Sequence, residues 1–263
     1  MKMYILPLIL TLFAGMSTLL GGFITFFVKR NNLKVLSVGL GFSAGVMVYV
    51  SLCELMKEST QMLGEYYNLI PAKAITFGGF LAGIIIAILI DYFIPDHIES
   101  DFLSSAAAKK QEQRHKIRRA GLITALAVTL HNFPEGMATF LVSSQDLRLG
   151  IPVAIAIAIH NIPEGIAIAL PIFHATGKKR QAILYSFLSG ISEPVGGLLG
   201  VILLKTVMPA PSVGIMTAAV AGIMVYLSFD TLLPLAREYG ENHHVIIGIV
   251  SGMLIMSFGL IFL

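Results

Sequence analysis

The chain has 263 residues, of which 56% are hydrophobic and 13% charged, and its mean hydropathy is +0.83. Charges at about half the share found in soluble domains exclude a soluble globular protein and predict an all-α polytopic membrane protein. The net charge of +3 gives no footing for nucleic acid, and a single cysteine, Cys53, excludes an internal disulfide or a thiolate cluster.

Apolar runs long enough to cross about 30 Å of hydrocarbon fall at residues 4–28, 35–57, 74–94, 120–143, 150–172, 181–204, 212–236 and 244–263. They predict eight transmembrane helices in one domain, residues 1–263. The first run is too long for a signal-peptide core and lacks a small-x-small cleavage site, so it counts as a span. Span two carries Met47 and, nearer its outer end, Glu54 two turns away on the same helical face; Asp91 lies in the inner part of span three. Residues 95–119 form the one long connection, a basic solvated segment expected to be partly helical or disordered. Span four holds His131-Asn132-Phe133-Pro134-Glu135-Gly136, and span five a near-copy, His160-Asn161-Ile162-Pro163-Glu164-Gly165. Span six carries Glu193 beside Pro194, and span seven carries Asp230 towards its inner end.

Charge sets the orientation. The loops holding Lys29, Arg30 and Lys34, then Lys109 through Arg119, then Lys178 to Arg180, together with Arg237, place 13 of the 18 basic residues on one face. The positive-inside bias makes that face cytoplasmic, and the even number of spans then puts both termini outside. His97, His115, His174, His243 and His244 fall on the cytoplasmic side, as transient ligands near an exit or as ordinary loop residues.

An internal repeat runs through the chain. Ala44-Gly45-Val46-Met47-Val48-Tyr49-Val50-Ser51 matches Ala221-Gly222-Ile223-Met224-Val225-Tyr226-Leu227-Ser228. Gly15, Ser17, Gly21 and Gly22 match Gly190, Ser192, Gly196 and Gly197, and Gly79 and Gly83 match Gly248 and Gly252. Spans 1–3 thus repeat as spans 6–8, and span four as span five. Each pair lies an odd number of spans apart, so the copies are inverted, a pattern that places substrate sites near the midplane.

The hexapeptides carry the chemistry. In a helix, His131 and Glu135 share a face and Asn132 neighbours Glu135; His160, Asn161 and Glu164 repeat the arrangement. Pro134 and Pro163 cannot donate a hydrogen bond and free the carbonyls of Leu130 and Ile159, while Gly136 and Gly165 let another backbone approach. Two buried carboxylates without a counter-charge are very costly, and no lysine or arginine lies at that depth in either span. A divalent cation would neutralise them. Imidazole with carboxylate suits Zn²⁺, Fe²⁺, Mn²⁺ or Cd²⁺ rather than Cu⁺. Glu193 adds a third intramembrane acid. Glu54 and Met47 could line an outer approach, and Asp91 and Asp230 an inner one.

At these residues the chain resembles the ZIP (Zrt/Irt-like) family of divalent metal transporters, most closely its short bacterial zinc-uptake branch, over essentially its whole length. The resemblance implies a binuclear centre built by spans four, five and six. His131, Glu135, His160 and Glu164 would form one metal position; Asn132, Asn161 and Glu193, sharing Glu135 and Glu164, would form the other. It also implies uptake of Zn²⁺, with Fe²⁺, Mn²⁺ and Cd²⁺, into the cytoplasm across the inner (plasma) membrane, and no prosthetic group. Pairing with a second copy of the chain as a homodimer, and rigid displacement of one helix bundle against another, are implied in the same way. Met47 would sit beside the first position and Glu54 nearer the entrance. Having both His160 and Asn161 resembles the branch with broad divalent specificity. The connection after span three departs from much of the family, with only His97 and His115 in place of a histidine-rich tract.

Two other readings compete. An intramembrane two-metal hydrolase would also use bridging carboxylates, but the chain has no His-Glu-x-x-His array and every acid is spoken for as a ligand. A proton- or Na⁺-coupled carrier of an organic substrate would fit the broken helices, though the density of ligands favours an ion.

Overall fold

The computed structural model describes residues 2–93, 106–206 and 211–261, and among them there is no strand. The chain begins with α1 (Lys2–Gly22), which tightens into a 3-10 turn at Phe23–Phe26. Next come α2 (Leu33–Tyr49), a π-helical turn at Val50–Leu55 and α3 (Met56–Gly64), which together make one rod. The long helices α4 (Leu69–Phe93), α5 (Ala106–Gln145) and α6 (Leu147–Thr176) come after it. A break at Ile191 divides α7 (Lys179–Gly190) from α8 (Ser192–Thr206). Then α9 (Pro211–Tyr226), a second π-helical turn at Leu227–Leu232 and α10 (Leu233–Tyr239) form another rod, and α11 (Asn242–Ile261) closes the bundle.

Seven of these rods are long and apolar enough to cross a membrane: Tyr4–Phe26, Leu33–Gly64, Leu69–Phe93, Gly150–Thr176, Lys179–Gly200, Pro211–Tyr239 and His243–Ile261. The remaining rod of the expected eight is α5. Its length suffices, but its basic first turns and the buried His131, Asn132 and Glu135 dilute its apolar residues. Residues 106–119 of the expected connection belong to α5, whereas 94–105, with His97, lie outside the described residues.

Burial is inverted relative to a soluble protein. Large apolar side chains face outwards, among them Leu89, Leu254 and Phe258, while His131, Asn132, Asn161 and Glu164 are fully enclosed. Such a surface is stable only against hydrocarbon.

Local signals stop the helices where they should. The Asp146 carboxylate accepts from the Arg148 N–H at 2.8 Å and starts α6. Gly177, at φ +72°, ends it in the left-handed conformation that glycine adopts without strain. Arg30 then donates to the carbonyls of His174 and Ala175, at 3.2 and 2.8 Å, occupying acceptors that the helix end leaves open.

Glycines bring backbones together in reciprocal pairs. A Cβ on Gly136 would collide with the Glu193 carbonyl, and one on Gly196 with the Phe133 carbonyl, so α5 and α8 touch backbone to backbone. Gly165 and Gly21 do the same for α6 and α1, against the carbonyls of Thr18 and Ile162. Gly45 and Gly252 clasp α2 to α11, and Gly83 and Gly222 clasp α4 to α9.

Candidate metal centre

Helices α5 and α6 place the two hexapeptides side by side. Both run unbroken through their prolines. The Pro163 carbonyl accepts from the Ser43 hydroxyl of α2 at 2.6 Å, and Thr139 donates to the Glu135 carbonyl at 2.9 Å.

The acidic and imidazole groups cross over. His131 Nε2 of α5 lies 3.1 Å from Glu164 Oε1 of α6, and His160 Nε2 of α6 lies 3.5 Å from Glu135 Oε2 of α5. All four side chains are buried, the most open, Glu135, only 6% exposed. The atoms in each pair are close but not aligned for a hydrogen bond. Both oxygens of Glu135 and of Glu164 and both ring nitrogens of His131 lack a hydrogen-bond partner.

Amides and the third acid complete the cluster. Asn161 donates from Nδ2 to the Ala14 carbonyl at 3.0 Å and to the Glu193 carboxylate. Asn132 donates to the Ser189 carbonyl at 3.3 Å. The carbonyl oxygens of both amides and Glu193 Oε2 are buried and unpartnered. In all, ten donor or acceptor atoms of these seven side chains are buried without a partner, a cost native structures rarely carry. Unpaired oxygens and nitrogens at this density are of the kind that a cation would satisfy. Among the described residues, though, no three His, Cys, Asp or Glu side chains converge as a ready-made cage. The donors stand as two cross-helix pairs.

A cavity of about 270 Å³ opens beside the cluster, lined by Glu54, Glu58, Gln61, Glu135 and His160 among others. Glu54 therefore reaches the centre through shared space. Glu58 is a lining residue that the sequence reading misses; its signal is the four-residue spacing from Glu54, which puts two acids on one helical face.

Met47 is fully buried in the apolar core and does not line this cavity. The expectation that it shares a face with Glu54 is corrected by the π-helical turn at Val50–Leu55 between them. The wider turn takes about one extra residue and rotates the helix beyond it.

Asp91 and Asp230 belong to the other end of the bundle, since α3 and α4 join near Gly64 and Asp91 closes α4. Asp91 pairs with Arg119 of α5 at 3.3 Å. Asp230 lies on the second π-helical turn, one turn beyond Tyr226. Of the histidines expected near an exit, His174 is buried, with Nδ1 2.8 Å from the Leu170 carbonyl and Nε2 3.2 Å from that of Asn32. Both nitrogens are engaged in structure, so it is not a free ligand.

Known proteins match the chain over nearly its whole length. Residues 95–259 match the family model described as ZIP Zinc transporter. A protein named Zinc transporter ZupT from Clostridium perfringens is 44% identical over 276 residues, covering 99% of this chain and 97% of its own length. Proteins of the same name from Streptococcus mutans and Campylobacter jejuni are 46% and 44% identical, covering 96% and 97% of this chain and 96% and 95% of their own lengths. These relatives carry the name of a transporter, which removes the case for a two-metal hydrolase. The chain belongs to the ZIP zinc transporter family.

Proposed function

We propose that the chain takes up Zn²⁺, and with lower selectivity Fe²⁺, Mn²⁺ and Cd²⁺, into the cytoplasm through a binuclear His/Asn/Glu centre halfway across the inner membrane. His131, Glu135, His160 and Glu164 serve one position; Asn132, Asn161 and Glu193 serve the other, with Glu135 and Glu164 bridging. The single observation that carries the reading is the crossed pair of imidazole–carboxylate contacts between α5 and α6, buried and without hydrogen-bond partners at the facing atoms. An arriving dication exchanges each contact for bonds to itself and neutralises the carboxylates that burial otherwise penalises. Moderate affinity follows from the absence of thiolates, and a transporter needs release as much as capture.

Residues 1–263 act as one transport domain with eight spans and both termini outside. The connection at 95–119 faces the cytoplasm. The cavity bearing Glu54 and Glu58 is the outer approach, and Asp91 and Asp230 stand on the inner one. An inverted repeat is supported by the placing of the two π-helical turns, each starting at the seventh residue of the matched octapeptides. The glycine clasps support it too: exchanging spans 1–3 with 6–8 and span four with five turns the α1–α6 clasp into the α8–α5 clasp and the α2–α11 clasp into the α9–α4 clasp.

The test is uptake by metal-free proteoliposomes offered a panel of divalent ions. Glu135→Ala and Glu164→Ala should abolish zinc uptake while inserting normally; parental rates in both would refute the reading.

A further inference from the structure

We infer that the Thr18 hydroxyl on α1 is a further oxygen donor to the cation, the neutral counterpart of Glu193 on the opposite side of the centre. The inference rests on the transport reading and the repeat proposed above.

The register that aligns Gly15, Ser17 and Gly21 with Gly190, Ser192 and Gly196 sets Ala14 against Ser189 and Thr18 against Glu193. Hydrogen bonds obey it. Ser17 donates to the Ala14 carbonyl and Ser192 to the Ser189 carbonyl, each at 2.6 Å. Asn161 then donates to the Ala14 carbonyl and Asn132 to the Ser189 carbonyl. The correspondence breaks at one place. Where Asn161 also meets the Glu193 carboxylate, the register assigns a threonine to the Asn132 side.

That threonine is fully buried and its Oγ1 has no partner. Buried helical threonines elsewhere in the chain donate to the carbonyl four residues back, as Thr11, Thr124 and Thr139 do at 2.8–2.9 Å. For Thr18 that acceptor is the Ala14 carbonyl, which already takes side-chain bonds from Ser17 and Asn161 on top of the backbone bond of α1. The hydroxyl is thus shut out of its local acceptor. Asn132 Oδ1 and Ser189 Oγ are likewise buried and unpartnered. Threonine, asparagine and serine oxygens form a neutral set, suited to a cation that keeps part of its water.

Thr18 is also tied to the centre through backbone. Its carbonyl abuts Gly165, and one turn earlier Gly15 faces Glu193, whose Cβ lies 3.0 Å from where a Gly15 Cβ would stand. One carboxylate facing one hydroxyl leaves the cation less tightly held than two carboxylates would, which favours release.

The experiment uses the full chain carrying Cys53→Ser, reconstituted in liposomes, with zinc uptake and cadmium–zinc competition as readouts. Thr18→Val keeps the volume and removes the oxygen; it should raise the KM for zinc about 3- to 10-fold with unchanged thermal midpoint. Thr18→Ser should stay within about twofold of the parent, since it keeps the donor. Thr18→Cys supplies a soft ligand and should move the competition about 10-fold or more towards cadmium, an effect that a packing role cannot produce. If Thr18→Val fails to insert, Thr18→Cys decides alone. Parental KM in Thr18→Val, or parental competition in Thr18→Cys, overturns the inference while Glu164→Ala still abolishes uptake. Parental uptake in both Glu135→Ala and Glu164→Ala overturns the proposed metal centre instead.

Discussion

Gly136→Ala sets two effects against each other and separates packing from ligation. Alanine gains at most about 1 kcal/mol over glycine inside a helix. Here, however, the new Cβ would stand 2.6 Å from the Glu193 carbonyl carbon and 2.7 Å from its Cα, where about 3.5–4.0 Å is needed. Both are backbone atoms, so no rotamer change relieves the overlap, and α5 and α8 must part by about 1 Å. Overpacking of this kind costs about 1–3 kcal/mol, leaving a net destabilisation of up to about 2 kcal/mol. Transport should suffer far more, because the residue pushed away is the proposed ligand Glu193 and metal–ligand distances tolerate about 0.2 Å. We expect a thermal midpoint lowered by a few degrees in detergent and zinc uptake reduced at least about 10-fold. Gly78→Ala is the control: nothing lies within 4 Å of its Cβ position, so stability should hold or rise and uptake stay unchanged. Parental uptake in Gly136→Ala would refute the reasoning.

Other perturbations reach different parts of the molecule. His131→Ala removes the softer donor from the proposed first position, so zinc should lose ground to manganese in competition uptake; an unchanged ratio counts against the ligand role. Glu54→Gln with Glu58→Gln removes two of the three acids that line the cavity, leaving Glu135; the KM for zinc should rise at low ionic strength, and the difference should shrink in salt. Arg30→Ala leaves the carbonyls of His174 and Ala175 open and should cost about 1–3 kcal/mol in thermal unfolding with the metal-competition profile untouched.

Most of the proposed centre can be read from the sequence because its residues sit on helices, where spacing reports direction. His131 with Glu135 and His160 with Glu164 follow from a four-residue period, and two contacts between the helices unite them. What spacing cannot report is partner choice across helices. Each histidine meets the glutamate of the other motif rather than its own, and Asn161, not Asn132, takes Glu193. Periodicity also presumes an unbroken α-helix. The π-helical turns upset it, separating Met47 from the face that Glu54 presents. Glu58 escapes notice because an acid near the end of a span reads as one reaching for water until the cavity beside it is seen. His174 reads as a loop histidine, yet the helix extends to Thr176 and encloses it.

The glycine clasps also divide the bundle. Those joining α1 to α6 and α5 to α8 knit one body, which holds all eight proposed ligands, Thr18 included; those joining α2 to α11 and α4 to α9 knit another, which supplies Glu54 and Glu58. Among the described residues no glycine abuts backbone across the seam. The Ser43 hydroxyl bonded to Pro163 and the Leu170 side chain against Gly39 are the kind of joins found there. Side chains can re-register along such a boundary while interlocked backbones cannot, so sliding costs least where the liganding body meets its neighbour.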